Sequence, residues 1–407
     1  MRFRTAIIWN GLSQFGQSGI TLLSTIILAH MLTPDDFGLV GIVAIFIAFS
    51  QMMVDSEMGG SLLRKRNVDT TDYSTLFWYN LGISLCIYAA LFFSAPAISR
   101  FYGRSELTEI IRILSLCIII HAFRVVQFIM ILRELKFKAY ALMNVTGGVI
   151  SLTVAILLAH YGYGYWALVW QQITVAASIV LLMGIYNRFI PAFIFSKNSF
   201  LYQFRFGIGL LGANTVITIS NNIAANIIAK VSTLQVTGYY TQTSRVTTFF
   251  QTALGSIFNQ SVFPLMAKFE KTEDVRKMYR RILFYMICGL GGLTLLLEVL
   301  APWLIRIGLG EEWSGAVPFF RILSLTILPA CVQVLCRNVM KTIGKTRKVM
   351  SVDSIISLLS LTLMIGGAFI DIDLIVWGIV FAQAAGAILW MRVAENNLIR
   401  QEIIRED

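Results

Sequence analysis

Apolar residues run along this chain in long unbroken blocks, and polar residues gather in short clusters between them. A helix needs about 20 apolar residues to cross the hydrocarbon of a bilayer, and the blocks have that length. They are continuous rather than alternating, which favours helices over a barrel. The pattern predicts spans near 7–31, 38–60, 74–97, 108–131, 140–160, 165–187, 206–229, 239–264, 282–305, 316–339, 349–370 and 373–394. The expected fold is an all-α polytopic membrane protein of about 12 transmembrane helices.

The pattern also repeats. Arg112-Ile113-Leu114-Ser115-Leu116 returns as Arg321-Ile322-Leu323-Ser324-Leu325, and Ala95-Pro96 returns as Ala301-Pro302. Upstream, Thr33 and Gly38 are matched by Thr233 and Gly238; downstream, Trp166, Val169 and Gln172 are matched by Trp377, Val380 and Gln383. The offset drifts from 200 through 206 and 209 to 211, as small loop insertions would make it. An ordered series of this length points to tandem duplication. It divides the chain into a six-helix lobe at 1–195, a second at 200–395 and a short cytoplasmic tail at 396–407. An even number of spans per lobe gives both the same orientation, with the pseudo-two-fold axis along the membrane normal and the substrate path between them.

Composition sharpens this picture. Charged residues make up 14% of the chain, against about 25% in a soluble domain. With the N-terminus in the cytoplasm, the inner segments hold 23 Lys and Arg and the outer ones hold four: Arg100, Arg104, Lys230 and Arg306. That bias sets the orientation. The net charge of +11 is therefore a topology signal and not a footprint for nucleic acid. Met1-Arg2-Phe3-Arg4 opens like a signal peptide, but the apolar stretch behind it is too long and lacks a small-residue cleavage site. The five cysteines lie inside apolar runs without metal spacing and are expected as buried hydrophobes. The chain carries no phosphate-binding loop, catalytic triad or metal cluster, so neither enzyme chemistry nor a cofactor is expected.

Charges inside the spans are costly and usually face a cavity or a partner. Arg112, Arg205, Arg321 and Arg337 lie near helix ends, where snorkelling to headgroups accounts for them. Arg124 and Arg245 lie deeper, roughly 10 Å inside their boundaries at 1.5 Å per residue, and are the candidates to line a cavity. The acids are Asp55, Glu57, Glu298 and Asp353, candidates for a gate or for ion coupling. The first, seventh and eighth spans are rich in amides and hydroxyls, including Gln14, Gln17, Asn214, Asn221, Asn222 and Gln242. Interhelical hydrogen bonds are one use for such groups. A wet lumen that binds a hydroxyl-rich substrate is the other, and three helices this polar favour it.

Several local motifs resemble a known family. Asp36-Phe37-Gly38-Leu39 follows Thr-Pro, and Asp55 closes the second span ahead of Ser61-Leu62-Leu63-Arg64-Lys65. Thr75-Leu76-Phe77-Trp78-Tyr79-Asn80 and Leu132-Arg133-Glu134-Leu135-Lys136-Phe137 come next, and then Gly310-Glu311-Glu312-Trp313 with Pro318. In this order they look like the polysaccharide (Wzx-like) flippases of the MOP transporter superfamily, across about 1–390. The resemblance implies two six-helix lobes in a MATE-like fold working by alternating access in the bacterial inner membrane. The implied substrate is an undecaprenyl-diphosphate-linked oligosaccharide bound for O-antigen, capsule or exopolysaccharide. Membrane lipids and a polysaccharide polymerase complex are the partners to consider. Cationic lumen residues hold the diphosphate in relatives; here Arg124 and Arg245 correspond in depth and chemistry, not by motif. Many relatives of this branch have fourteen spans, and many have Gly where this chain has Glu57.

The alternative is a MATE-like, cation-coupled exporter of small organic molecules. Such a site commonly uses a carboxylate in the first span, which is missing here, and arginines outnumber acids within the spans. A membrane glycosyltransferase would need a large outer loop or an acidic catalytic motif, and neither is present. The orientation is directly testable. Reporter fusions at the N-terminus, the C-terminus and residues 265–281 should all read cytoplasmic, and an external reading at 265–281 would reverse the topology.

Overall fold

The computed structural model describes residues 3–55, 58–266 and 272–406, with backbone alone at 3–15, 209, 210, 213, 259–265, 272, 346, 347 and 400–406. Among these residues the chain is helix joined by short turns. In order the helices are α1 (Phe3–Ala29), α2 (Pro34–Asp55), α3 (Met58–Arg64), α4 (Thr70–Tyr102), α5 (Glu106–Leu114), α6 (Leu116–Arg133), α7 (Phe137–His160) and α8 (Trp166–Asn187). There follow α9 (Lys197–Val231), α10 (Leu234–Met266), α11 (Thr272–Gly308), a 3-10 turn (Glu311–Ala316), α12 (Val317–Ser324), α13 (Ile327–Thr342), α14 (Thr346–Ala368) and α15 (Ile372–Glu406). Nine helical stretches among the described residues are long and apolar enough to cross a membrane. Every span expected from hydropathy falls on one of these or on α1, α9 or α10. Several helices, such as α4, α9, α10 and α11, overrun the expected spans, because hydropathy marks only the apolar part of a helix. The tail expected at 396–407 continues α15 as far as Glu406.

Contacts group the helices into two compact units, Met1–Lys230 and Val231–Asp407. The sequence repeat predicts a second lobe from residue 200, yet α9 falls in the first unit. The reason is a set of polar ties. Asn226 Nδ2 donates to the Ile42 carbonyl at 2.8 Å and to the Tyr102 hydroxyl at 3.2 Å. Lys230 Nζ donates to the Phe101 carbonyl at 2.7 Å.

The first unit is built around Leu62, Leu76, Ile110, Ile118 and Val126, and the second around Trp313, Cys336, Met340 and Trp390, all fully buried. Lipid tails are as apolar as these side chains, so close packing has to supply the attraction between helices. At Gly367 a Cβ would stand 2.7 Å from the Leu374 carbonyl carbon, and α14 and α15 meet backbone to backbone there. Cys117, Cys331 and Cys336 are buried as expected, but Cys86 and Cys288 are exposed. Their neighbours Leu85 and Ile287 are exposed as well.

The duplicated stretch carries the same construction in both units. Pro96 lies inside α4 and Pro302 inside α11. Proline has no N–H, so the carbonyl four residues before it loses its helical partner. Those carbonyls belong to Phe92 and Glu298. Arg112 Nε reaches the first at 3.4 Å, and Arg321 Nε reaches the second at 3.3 Å. Both bonds are long. In the first unit the Arg112 guanidinium also lies 4.3 Å from the centre of the Phe92 ring. Each arginine stands on a short helix that breaks three or four residues later, at Ser115 and at Leu325-Thr326. These two arginines therefore serve the backbone of a neighbouring helix, a use that snorkelling from near a helix end does not describe.

Removing Arg112 should cost on the order of 1 kcal/mol, the net worth of one such bond. Pro96→Ala restores an N–H to the same carbonyl. The double variant Arg112→Ala, Pro96→Ala should then lose less than the sum of the single losses, read as thermal unfolding of purified protein in lipid. Strict additivity would mean that Arg112 does not serve that carbonyl.

Candidate functional site: a polar cavity between α2 and α9

The second helix begins at a tight cap. Asp36 Oδ2 accepts from the Thr33 backbone N–H at 3.0 Å and from the Thr33 hydroxyl at 2.9 Å, which fixes the start and rotation of α2. From there the residues at 48, 51, 52 and 55 fall on one stripe, at the spacing that puts side chains on the same helix face. On α9 the residues at 211, 214, 217 and 218 do the same. The two stripes face each other across a cavity of about 320 Å³ lined by Ala48, Gln51, Met52, Asp55, Leu211, Asn214, Ile217 and Thr218. That volume is at the lower end of the range for small-ligand pockets, about 300–1,000 Å³.

The wall mixes two kinds of surface. Gln51, Asp55, Asn214 and Thr218 supply donors and acceptors; Met52, Leu211 and Ile217 supply apolar surface. Asp55 is exposed within a helical stretch apolar enough to span a membrane, Pro34–Arg64. It is the last residue of α2. An ionisable group in an apolar helix faces water, a polar ligand or a partner side chain, and Asp55 lines the cavity. The cavity can therefore accept a hydrated, hydrogen-bonding solute.

Of the residues singled out in the sequence, the structure brings together here Asn214, expected to line a lumen, and Asp55, expected at a gate or in ion coupling. Asn221 is exposed on α9, one turn on from Thr218. Asn222 turns back on its own helix and donates to the Thr218 carbonyl at 2.8 Å. Gln242 is fully buried on α10. Gln17 is exposed on α1. The side chain of Gln14 and all of Glu57 lie outside the described residues. Gln51 and Met52 were legible as members of the Asp55 stripe, but only the position of α9 shows that this stripe has a facing wall.

Arg124 is half-buried on α6 and makes no hydrogen bond or ion pair among the described residues. Arg245 is half-buried on α10, in the second unit. The other two acids are engaged in structure. Asp353 accepts from Arg337 Nε at 3.0 Å and from Trp390 Nε1 at 3.1 Å. Arg337 also donates to Gln333 Oε1 at 3.0 Å, and Gln333 Nε2 donates to Gln383 Oε1 at 2.7 Å. This network joins α13, α14 and α15, so Arg337 is a packing residue and not a headgroup contact. The Glu298 carboxylate accepts from Ser324 Oγ at 3.3 Å, beside the carbonyl that Arg321 serves.

Two stretches that carry the family resemblance meet at one end of the first unit. Arg133 donates to the carbonyls of Leu62, Lys65 and Arg66 and so seals the C-terminal end of α3. Beside it, Asp72 acts as a hub that hydropathy did not reveal. Its carboxylate accepts from Lys65 Nζ at 2.6 Å and from Ser199 Oγ at 2.6 Å, and its carbonyl accepts from Gln203 Nε2 at 3.2 Å. Asp72 also completes a capping box with Asp69 at the start of α4. Through these bonds one nearly buried carboxylate holds the first turns of α9 against α4, and so helps to place the wall that carries Asn214.

Comparison with known proteins bears on this architecture. A protein-family profile described as "Polysaccharide biosynthesis protein" matches residues 27–318. The succinoglycan biosynthesis transport protein ExoT of Rhizobium meliloti (strain 1021) is 26% identical over 79% of this chain and 66% of its own length. The lipopolysaccharide biosynthesis protein WzxC of Escherichia coli (strain K12) is 24% identical over 83% of this chain and 68% of its own. The chain thus spans about two thirds of the length of these relatives. Among solved structures, the lipid II flippase MurJ in an inward closed conformation superposes with a TM-score of 0.75 at 15% identity, covering 97% of this chain and 90% of that one. An inward-facing multidrug resistance MATE transporter of the MOP superfamily gives 0.64 at 13% identity, covering 98% and 96%. This is an all-α, multi-pass membrane protein with the fold of the MOP transporters, and it belongs to the polysaccharide biosynthesis protein family.

Proposed function

We propose that this chain carries an undecaprenyl-diphosphate-linked oligosaccharide from the inner to the outer leaflet of the bacterial inner membrane, for polysaccharide export. The observation that carries the proposal is the cavity between α2 and α9, a wall of carboxylate, amides and a hydroxyl set in membrane-spanning helices. Sugar hydroxyls both donate and accept, and this mixture of groups answers both. Met52, Leu211 and Ile217 offer apolar surface to the C–H faces of a sugar ring. The names of ExoT and WzxC, a transport protein for one polysaccharide and a biosynthesis protein for another, support the same substrate class.

The chain acts in this reading as a transporter, without enzymatic chemistry and without a cofactor. Two six-helix repeats, 1–195 and 200–395, alternate in access; the paired construction at Pro96 with Arg112 and at Pro302 with Arg321 supports their common origin. Both termini are cytoplasmic, by the charge bias of the loops. A polysaccharide polymerase complex is a natural recipient of the product. Arginine stays ionised and can grip phosphate oxygens in a fork, and Arg124 and Arg245 are the residues proposed to hold the diphosphate. One observation favours the second reading, a cation-coupled exporter of small molecules: Asp55 places a carboxylate in the cavity.

Glycan export in cells separates the two. Arg124→Ala and Arg245→Ala should each lower export by about tenfold to a hundredfold, as loss of a charge-assisted bond implies, and Lys should partly rescue. Asn214→Leu, which fills the cavity with apolar bulk, should impair export at unchanged protein level. Full export by the Arg124→Ala, Arg245→Ala double variant would remove the diphosphate role. Ion-driven efflux of organic cations from vesicles, lost in Asp55→Asn, would establish the exporter instead.

A further inference from the structure

The segment between α8 and α9, residues 188–196, is the longest stretch of the first unit to leave helical geometry among the described residues. It reads Arg188-Phe189-Ile190-Pro191-Ala192-Phe193-Ile194-Phe195-Ser196 and contains more apolar bulk than a loop in water would carry. Its outward side chains are among the most exposed apolar residues of the protein: Ile190 at 84%, Phe193 at 92%, Ile194 at 52% and Phe195 at 55%. The segment is nonetheless held in place. The Ala192 N–H donates to Ser74 Oγ at 3.0 Å, and Trp78 Nε1 donates to the Ala192 carbonyl at 2.8 Å. The Ser196 N–H donates to Thr75 Oγ1 at 3.1 Å, and the Phe193 ring stacks on Trp78 with centroids 5.0 Å apart. An ordered strap fastened on one side and apolar on the other presents a surface that some phase must cover.

Charge indicates which phase. Arg188 and Lys197 flank the strap, and both are exposed. The acids near the strap are engaged by other groups, Asp72 by Lys65 and Ser199 and Glu134 by Lys136. Irregular backbone is not tolerated in lipid hydrocarbon, because its polar groups would lack partners. At the headgroup level water satisfies those groups while rings and aliphatic chains dip toward the acyl boundary. Cations beside such a surface attract anionic headgroups. We propose that residues 188–197 form an interfacial anchor for anionic phospholipid, with Phe193 and Ile190 in the acyl boundary and Arg188 and Lys197 on the headgroups. The strap leads directly into α9, whose first turns are tied to Asp72 through Ser199 and Gln203. Lipid contact here therefore bears on the helix that forms one wall of the cavity. The proposal needs only that the chain spans a membrane, and it does not depend on what is transported.

The test uses the full chain with the exposed Cys86 and Cys288 replaced by Ser, reconstituted in nanodiscs of neutral phosphatidylcholine or of a mixture with phosphatidylglycerol. Phe193→Cys carries an environment-sensitive fluorophore, with Ile190→Cys as a second site should the first variant misfold. Asn67→Cys, on the exposed loop before α4, is the reference. With bromine on the acyl chains, the labels at 193 and 190 should be quenched several-fold more than the label at 67. Arg188→Glu with Lys197→Glu should reduce that quenching in phosphatidylglycerol and leave it unchanged in phosphatidylcholine. Both leaflets are identical in such discs, so the readout is independent of orientation and of transport. Quenching at 193 and 190 equal to that at 67 would overturn the proposal. So would a label shielded from water but untouched by bromine, which would show that protein covers the strap. Charge reversal without effect in phosphatidylglycerol would overturn the assignment to anionic lipid.

Discussion

Every backbone polar group of a membrane-embedded helix has to find a partner within the protein, because the hydrocarbon offers none. Proline makes that demand acute, since it removes a donor from the middle of a helix. At Phe92 and at Glu298 the freed carbonyl is met by an arginine from the following short helix. The proline-containing helices α4 and α11 exist on those terms, and so do the breaks at Ser115 and at Leu325-Thr326. An aromatic ring supports the arginine in the first unit. In the second, the residue at the same place is Glu298, whose carboxylate takes the Ser324 hydroxyl. The same backbone requirement is met twice with different side chains.

The same requirement explains why so few of the polar residues within the helices are available to a ligand. Asn226, Gln333, Arg337 and Asp353 all serve packing, through bonds of 2.7–3.2 Å to neighbouring helices. Asn222 serves its own helix. Where α2 and α9 stand apart, their facing stripes enclose the cavity of about 320 Å³. A carboxylate and two amides can persist there because the space admits water or a solute. Buried in close contact, they would demand partners that the neighbouring Met, Leu and Ile cannot supply.

Position in that cavity depends on groups far from it. Asp72 is nearly buried and holds Lys65, Ser199 and the carbonyl contact to Gln203. It thereby sets where α9 begins, and the rigidity of a helix carries that placement along to Asn214. The resemblance to a transporter family rests on short stretches around Ser61–Lys65, Thr75–Asn80 and Leu132–Phe137. The structure shows what they do: they clamp α3, α4, α6 and the strap before α9 to one another, and so they are constraints on architecture more than on the ligand.

The sequence by itself determined the class of the protein. Long apolar blocks can be satisfied only as membrane helices, and the repeated words fall where the two units show the same break in a helix. It also singled out Asp55 and Asn214, because amides and acids are costly in apolar helices and stand out against them. Only the tertiary structure decided which of these polar groups face open space. Gln242 is as polar as Asn214 in the sequence, yet it is fully buried, and Asp353 lies where α13, α14 and α15 pack together, whereas Asp55 lines the cavity. The docking of α9 onto the first unit, beyond the start of the second copy, was likewise invisible in the repeat. Hydropathy records the cost of a polar side chain in the membrane, whereas the partner that offsets the cost stands on another helix, at a distance along the chain that no local pattern encodes.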